Sequence, residues 1–259
     1  MKRIERNPIE YLISILIPSI RPEGLDNLIN SILQNADNSL NNFEIIVKID
    51  FEELKLYDLS KYNTLDNINF IINSKKQGYI SLINFWEDMI QLSHSKYCFI
   101  LTDDTKILTK NWNSFLQKSL TGFKLYLPFT QWQNVETNPQ YCFPIFPKKL
   151  LDIWGFLAPH SLVDHWLYEI AHKMSNPNMP WNEPFLEYLA VPKISATNVS
   201  DPSKHKEDNT PSLFKTALYH SNSATFFHSL NLLKEYLVKE KYDTILKHNI
   251  INEYRGTQD

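Results

Sequence analysis

Apolar residues fall in short blocks separated by polar turns, and successive blocks alternate between strand-like runs and helical spacing. Ile13-Ser14-Ile15-Leu16-Ile17 is largely β-branched and ends at Pro18-Ser19, which predicts a buried strand leading into a loop. Pro22-Glu23-Gly24 then opens a helix, with Leu25, Leu28, Ile29, Ile32 and Leu33 on one face. Phe43 to Asp50 predicts a second strand that ends in an acid, and Ile68 to Ile72 a third, terminated by Asn73-Ser74-Lys75-Lys76-Gln77-Gly78. A helix from about Tyr79 to Leu92 follows, then a fourth strand, Lys96 to Thr102, that runs into Asp103-Asp104. A helix around Trp112 to Leu120 and a strand around Lys124 to Phe129 complete the first half.

Strand alternating with helix predicts a mainly parallel sheet covered on both faces. Ligands of such sheets bind beyond the carboxyl ends of the strands. Three predicted strands end there in polar groups: Ser19 with Arg21, Asp50, and Asp103 with Asp104. The second half is less regular. Gln131 to Pro147 is aromatic and carries prolines. Lys148 to Trp154 is a short helix closed by Gly155, and Ser161 to Met174 a longer one. Met179 to Val191 mixes turns with a strand, and Ile194 to Pro211 is polar and reads as a mobile loop. Ser223 to Tyr254 predicts one or two amphipathic helices with Leu230, Leu233 and Leu237 as a stripe.

Composition narrows the function classes. A formal net charge of −3 over 259 residues gives no global positive field for nucleic acid. An apolar share of 43% supports a sizeable core. Cys98 and Cys142 match no metal-ligand spacing, and Cys98 sits in an apolar run as a buried thiol, so a reducing cytoplasm is the default compartment. Lys2, Arg3 and Arg6 precede the first apolar run as in a leader peptide. Asn7, Pro8 and Glu10 interrupt it, however, and the run is too short to span a bilayer.

Asp103-Asp104 is the strongest local clue. Adjacent carboxylates at a strand end repel each other and are tolerated best where a cation neutralises them. Hard divalent ions often bind through one or two carboxylates plus substrate phosphates. The other reading, a solvated turn whose Asp caps the next helix, is equally open from the local pattern.

Five segments occur in order: Ile15 to Glu23, Glu44 to Asp50, Asn73 to Asn84, Phe99 to Asp104, and the acidic helix start Val163-Asp164-His165-Trp166. Together they resemble the family 2 type of GT-A glycosyltransferase over roughly residues 12 to 170. The resemblance implies an α/β, Rossmann-like GT-A domain over 1–222. Its nucleotide-binding half would be about 12–122 and its acceptor half about 123–222, with a C-terminal helical extension over 223–259. It implies that Pro18, Ser19 and Arg21 wrap the base and ribose of a nucleotide-sugar donor, and that Asp50 binds the base, typically uracil. Gly78 and Asn84 match the glycine–helix segment. Ile83 stands where the family often has an Arg, leaving Lys75 or Lys76 as candidate phosphate ligands. Asp104 would hold Mn²⁺ or Mg²⁺, and Asp103 would contact ribose or a metal-bound water, with Thr102 in the first position of the acidic motif. Asp164 would be the base that deprotonates a hydroxyl acceptor on a glycan, lipid-linked group or protein, with His165 as fallback. Asp164 also fits a simple complement to the helix dipole, with Ser161 as cap. Trp154 and Trp166 suit either sugar stacking or the core. His205, flanked by Lys204 and Lys206, would be a further metal ligand on a closing loop.

Other classes fit less well. A sugar nucleotidylyltransferase needs a Gly-rich loop after the first strand, and Ser19 to Gly24 has one Gly. Dehydrogenase and P-loop fingerprints are absent. A metal hydrolase on His160 and His165 lacks a third ligand. A catalytically silent nucleotide- or glycan-binding domain remains open.

Overall fold

The computed structural model describes residues 11–74, 82–120, 123, 125–126, 129–132, 143–159, 162–175, 188–189, 195–198 and 224–239. Its first half follows the sequence pattern closely. β1 (Tyr11–Ser19), β2 (Phe43–Asp50), β3 (Ile68–Asn73) and β4 (Ser95–Ile100) alternate with α1 (Pro22–Asn35) and α2 (Leu82–Leu92). These strands are parallel to one another, in the order β3-β2-β1-β4.

Alternate residues of each strand serve two cores, which is why the strands read as continuous apolar runs. Ile13, Ile15 and Ile17 face one way, with Val47, Ile49 and Phe99. There they meet Leu25, Leu28 and Ile32 of α1 and Trp112 and Leu116 of α3 (Trp112–Ser119). Leu16, Ile46, Cys98 and Ile100 face the other way, onto Phe85, Trp86, Met89 and Ile90 of α2. Cys98 is fully buried, and desolvation pushes its thiol up to about 12.

Beyond β4 the sheet becomes mixed. β8 (Ile145–Pro147) runs antiparallel to β4 and to β6 (Leu125–Tyr126), and β9 (Tyr188–Leu189) pairs in parallel with β6. A second, three-stranded sheet joins β5 (Thr105–Ile107), β10 (Ser195–Asn198) and β7 (Phe129–Trp132). Two expectations change here. The single strand expected over Lys124 to Phe129 is two strands in different sheets. Ser195–Asn198, expected in a mobile loop, is the central strand of the small sheet. Its sequence, Ser-Ala-Thr-Asn, has no apolar alternation, and backbone pairing with β5 and β7 is what makes it extended.

The helices of the second half close the α2 face. α4 (Lys149–Trp154) ends at Gly155, whose φ of 76° is the left-handed conformation that a helix stop requires. α5 (Val163–Ser175) buries Val163, Trp166, Leu167 and Ile170, and α6 (Ala224–Lys239) buries Phe226, Leu230 and Leu233 in the same core. Trp154 Nε1 donates to the Ser229 carbonyl at 3.0 Å, tying α4 to α6. Trp166 meets Trp154 and Phe226 edge-on, with centroids 6.5 and 5.2 Å away. Both Trp154 and Trp166 are therefore core residues, and neither ring is free to stack on a sugar. Among the described residues no helix is long and apolar enough to cross a membrane.

Trp166 is fully buried at the junction of three helices. Trp166→Ala is expected to cost about 3–5 kcal/mol in denaturant-unfolding equilibria.

Candidate functional site at the carboxyl edge of the sheet

The site grows out of a turn. Leu101 N donates to the Leu16 carbonyl at 3.0 Å, so β4 stays paired with β1 one residue past its end. The chain then folds back through Thr102-Asp103-Asp104-Thr105, closed by Thr105 N on the Thr102 carbonyl at 3.0 Å. Both acids are almost fully buried, at 2% exposure for Asp103 and 6% for Asp104. Buried carboxylates need donors, and Asp103 has five. Its Oδ2 accepts from Ser19 Oγ at 3.0 Å and from the backbone N–H groups of Ile20 and Arg21, both at 2.8 Å. Its Oδ1 accepts from Arg21 Nε at 2.9 Å and from an Arg21 terminal nitrogen at 2.5 Å.

That carboxylate therefore fixes the whole passage from β1 into α1. Arg21 is the N-cap residue of α1 but makes no side-chain cap, and Pro22 follows in the first turn, where a missing N–H costs nothing. The Asp103 charge lies at the helix start, where anions are favoured. Packing there is tight: a Cβ on Gly24 would lie 2.2 Å from the Asp103 carbonyl oxygen. A lone glycine in a helix's first turn is the one sequence signal of this close approach.

Asp104 is held differently. Its Oδ1 takes the Thr102 hydroxyl, and its Oδ2 lies 3.2 Å from the same Arg21 nitrogen that binds Asp103. One guanidinium thus serves two carboxylates. Burial pulls the Arg21 pKa down, but the charges and hydrogen bonds of Asp103 and Asp104 outweigh it, and the net shift is upward. Thr102 orients Asp104 and lies 3.2 Å from the Thr105 hydroxyl.

Neighbouring strand ends complete the edge. Ser19 pairs in register with Ile49, so Asp50 ends β2 one residue beyond it, and Asp50 Oδ1 accepts from Asn73 Nδ2 at 2.9 Å. The Ser19 hydroxyl gives its proton to Asp103, which makes Tyr57 the donor in the 3.0 Å Tyr57–Ser19 contact. Burial raises the Tyr57 pKa, so the phenol stays protonated and can fill that role. Ile20 and Phe51, directly after Ser19 and Asp50, stand 58% and 63% exposed. Tyr57 carries no sequence pattern that marks its role.

The structure thus joins Ser19, Arg21, Asp103 and Asp104 in one hydrogen-bonded group, with Pro18 in β1 and Asp50 on the adjacent strand. Asn84 is exposed in the first turn of α2. That helix is tied to β2 by Lys48, a buried cation whose Nζ lies 2.5 Å from Asp88 and 4.4 Å from the Phe85 ring centroid. Asp164 and His165 lie half-buried in the first turn of α5, and His165 Nδ1 is enclosed without a hydrogen bond. The α5 helix starts at Val163, and the Trp166 N–H bonds the Leu162 carbonyl at 3.2 Å. Lys75, Lys76, Gly78, His160, Ser161, Lys204, His205 and Lys206 lie outside the described residues. A cavity of about 670 Å³ lies at the opposite, amino-terminal end of the strands, around Tyr11, Glu44, Asn67 and His94, away from this chemistry.

Comparison with solved structures matches this architecture. S. aureus TarS (residues 1–349) in complex with UDP-GlcNAc superposes with a TM-score of 0.58 at 14% identity, over 87% of this chain and 71% of that one. The mannosyltransferase PcManGT from Pyrobaculum calidifontis, in complex with GDP-Man and Mn²⁺, gives 0.53 at 9% identity, over 86% and 73%. GalNAc-T7 with UDP, GalNAc and Mn²⁺ gives 0.52 at 11% identity, over 73% and 44%. The chain has the GT-A fold. At these identities the likeness is one of fold, and the chain spans only 43% of a longer S. aureus TarS structure. No protein-family model and no curated protein matches the sequence. In a GT-A fold the Asp103-Asp104 turn lies at the carboxyl edge, where α/β sheets take their ligands.

The divalent cations bound in two of these neighbours raise the question of whether this site fits one. Asp103 has both oxygens saturated by protein donors. Asp104 offers a carboxylate with one hydroxyl and one shared guanidinium as its neighbours. No group of three His, Cys, Asp or Glu gathers around a common point among the described residues. A hard cation that takes one carboxylate and completes its shell with phosphate and water fits this set.

Gly24→Ala is expected to lower stability by about 2 kcal/mol or more, because the added methyl meets backbone rather than a flexible side chain. Thermal unfolding checks it, with a loss of about 4 °C or more expected.

Proposed function

We propose that the chain transfers a sugar from a nucleotide-diphosphate sugar, of the UDP type, to a hydroxyl acceptor. The observation that carries this reading is the buried Asp103-Asp104 turn, clamped by Arg21 at the carboxyl edge of a GT-A sheet. The Pro18–Arg21 loop, held by Asp103, forms one wall for the nucleoside. Asp50 at the end of β2 accepts hydrogen bonds from the base, and the exposed Ile20 and Phe51 offer apolar surface to it. Arg21 supplies positive charge beside the diphosphate, with Lys76 and Asn84 as further phosphate-side residues.

Asp104 would hold a Mn²⁺ or Mg²⁺ ion, with Asp103 contacting ribose or a metal-bound water and His205 as an added ligand. When bound, the ion neutralises charge on the departing nucleoside diphosphate. Transfer is a displacement at the anomeric carbon. The acceptor oxygen forms the new bond, the bond from that carbon to the phosphate oxygen breaks, and the nucleoside diphosphate leaves with the electron pair. Asp164 takes the acceptor's hydroxyl proton, and attack from the face opposite the leaving group inverts the configuration. His165 is the alternative base. The acceptor is a glycan, lipid-linked or protein hydroxyl.

Calorimetric titration with UDP, with and without Mn²⁺, tests the donor site. UDP is expected to bind with Mn²⁺, and Asp104→Ala to weaken that binding by about 100-fold or more. Failure of any nucleotide diphosphate to bind in the presence of metal would overturn the reading. Hydrolysis of a UDP-sugar to UDP separates an enzyme from a domain that only binds, and Asp164→Asn is expected to lower that rate while leaving UDP affinity unchanged.

A further inference from the structure

The Arg21 guanidinium occupies the place where an incoming cation would be needed most. One terminal nitrogen lies 2.5 Å from Asp103 Oδ1 and 3.2 Å from Asp104 Oδ2, so a single positive group already serves both acids. Two adjacent carboxylates, buried to 2% and 6% exposure, require such a counter-charge to coexist inside a fold. The chain carries it in the side chain that follows β1, and Arg21 is itself one-third exposed.

The two Asp oxygens involved are not equivalent. On Asp103 the guanidinium makes a two-nitrogen contact that the Ser19 hydroxyl and two backbone amides reinforce. On Asp104 it makes one longer contact, and Thr102 takes the other oxygen. A divalent ion on Asp104 Oδ2 would sit about 2.0–2.6 Å from that oxygen, a few ångströms from the Arg21 nitrogen. Two cations that close, in a buried site, repel strongly.

We propose that Arg21 and a divalent cation are alternative partners of Asp104. Arg21 neutralises the acidic pair when no donor is bound. As the ion is taken up, the shared terminal nitrogen swings off Asp104, while Nε keeps its contact with Asp103. The freed guanidinium edge then faces the donor diphosphate, which carries the negative charge that offsets both cations. Metal alone therefore binds weakly, and metal and nucleotide bind cooperatively, each raising the affinity of the other by the same factor. This rests on the reading of Asp104 as the metal ligand.

The test is Mn²⁺ binding followed by electron paramagnetic resonance of the free ion, on the wild type and on R21Q, each with and without UDP. Without UDP, R21Q is expected to bind Mn²⁺ about tenfold or more tighter than the wild type. Addition of UDP is expected to tighten Mn²⁺ binding about tenfold or more in the wild type and by clearly less in R21Q. Equal or weaker metal affinity in R21Q, with coupling unchanged, would overturn the proposal and leave the donor site intact. Absence of Mn²⁺ binding to either protein, even with UDP, would instead remove Asp104 as a metal ligand and both readings with it. Ser19 and two backbone amides still hold Asp103 in R21Q. Should that variant unfold, R21K, which keeps the charge without the planar fork, is expected to show a smaller gain of the same sign.

Discussion

The carboxylate of Asp103 is the constraint on which the carboxyl edge of the sheet depends. It lies just past the end of β4, and its five donors all come from the three residues that leave β1 for α1. An ionised group at that burial would be costly if any large part of this shell were missing. The shell in turn sets the path of residues 19 to 21, places the start of α1 over the turn, and demands glycine at position 24. The order of events along the chain is thus reversed in space: a residue past position 100 decides how a loop near position 20 is shaped.

Charge is handled economically around that centre. Arg21 answers two acids, and Lys48 answers Asp88 while its stem crosses the Phe85 ring. The first pairing organises the loop between β1 and α1, and the second seats α2 against β2. Both α1 and α2 are therefore anchored to the parallel strands of the sheet, which has apolar cores on each face. A sheet with a cluster of polar groups at its carboxyl edge is how α/β folds commonly present a ligand site.

Much of this was legible in the sequence, and the limits have physical causes. β2 spans Phe43–Asp50 as expected because it is buried on both faces and its apolar run leaves no competing reading. The stop at Gly155 was equally clear, since left-handed backbone favours glycine. The acidic pair stands out in the sequence as a candidate site, but the partners of Asp103 do not. Hydrogen bonds between residues more than 80 positions apart leave no trace in local spacing. Thr102 and Tyr57 act through single hydroxyls, which no periodicity reports. β10 escaped because strand formation in Ser-Ala-Thr-Asn comes from its neighbours' backbones. Trp154 and Trp166 were ambiguous between core and cleft until α6 was seen to pack against them.

Amide hydrogen exchange of the wild-type protein, with and without UDP and Mn²⁺, tests the central claim most directly, because it locates the ligand by residue. The account predicts added protection at Ile20 to Glu23, around Asp50 to Tyr57 and at Thr102 to Thr105. It predicts no change around Tyr11, Asn67 and His94 at the other end of the strands. Protection confined to that opposite cavity, or none at the Asp103 turn under saturating ligand, would contradict it.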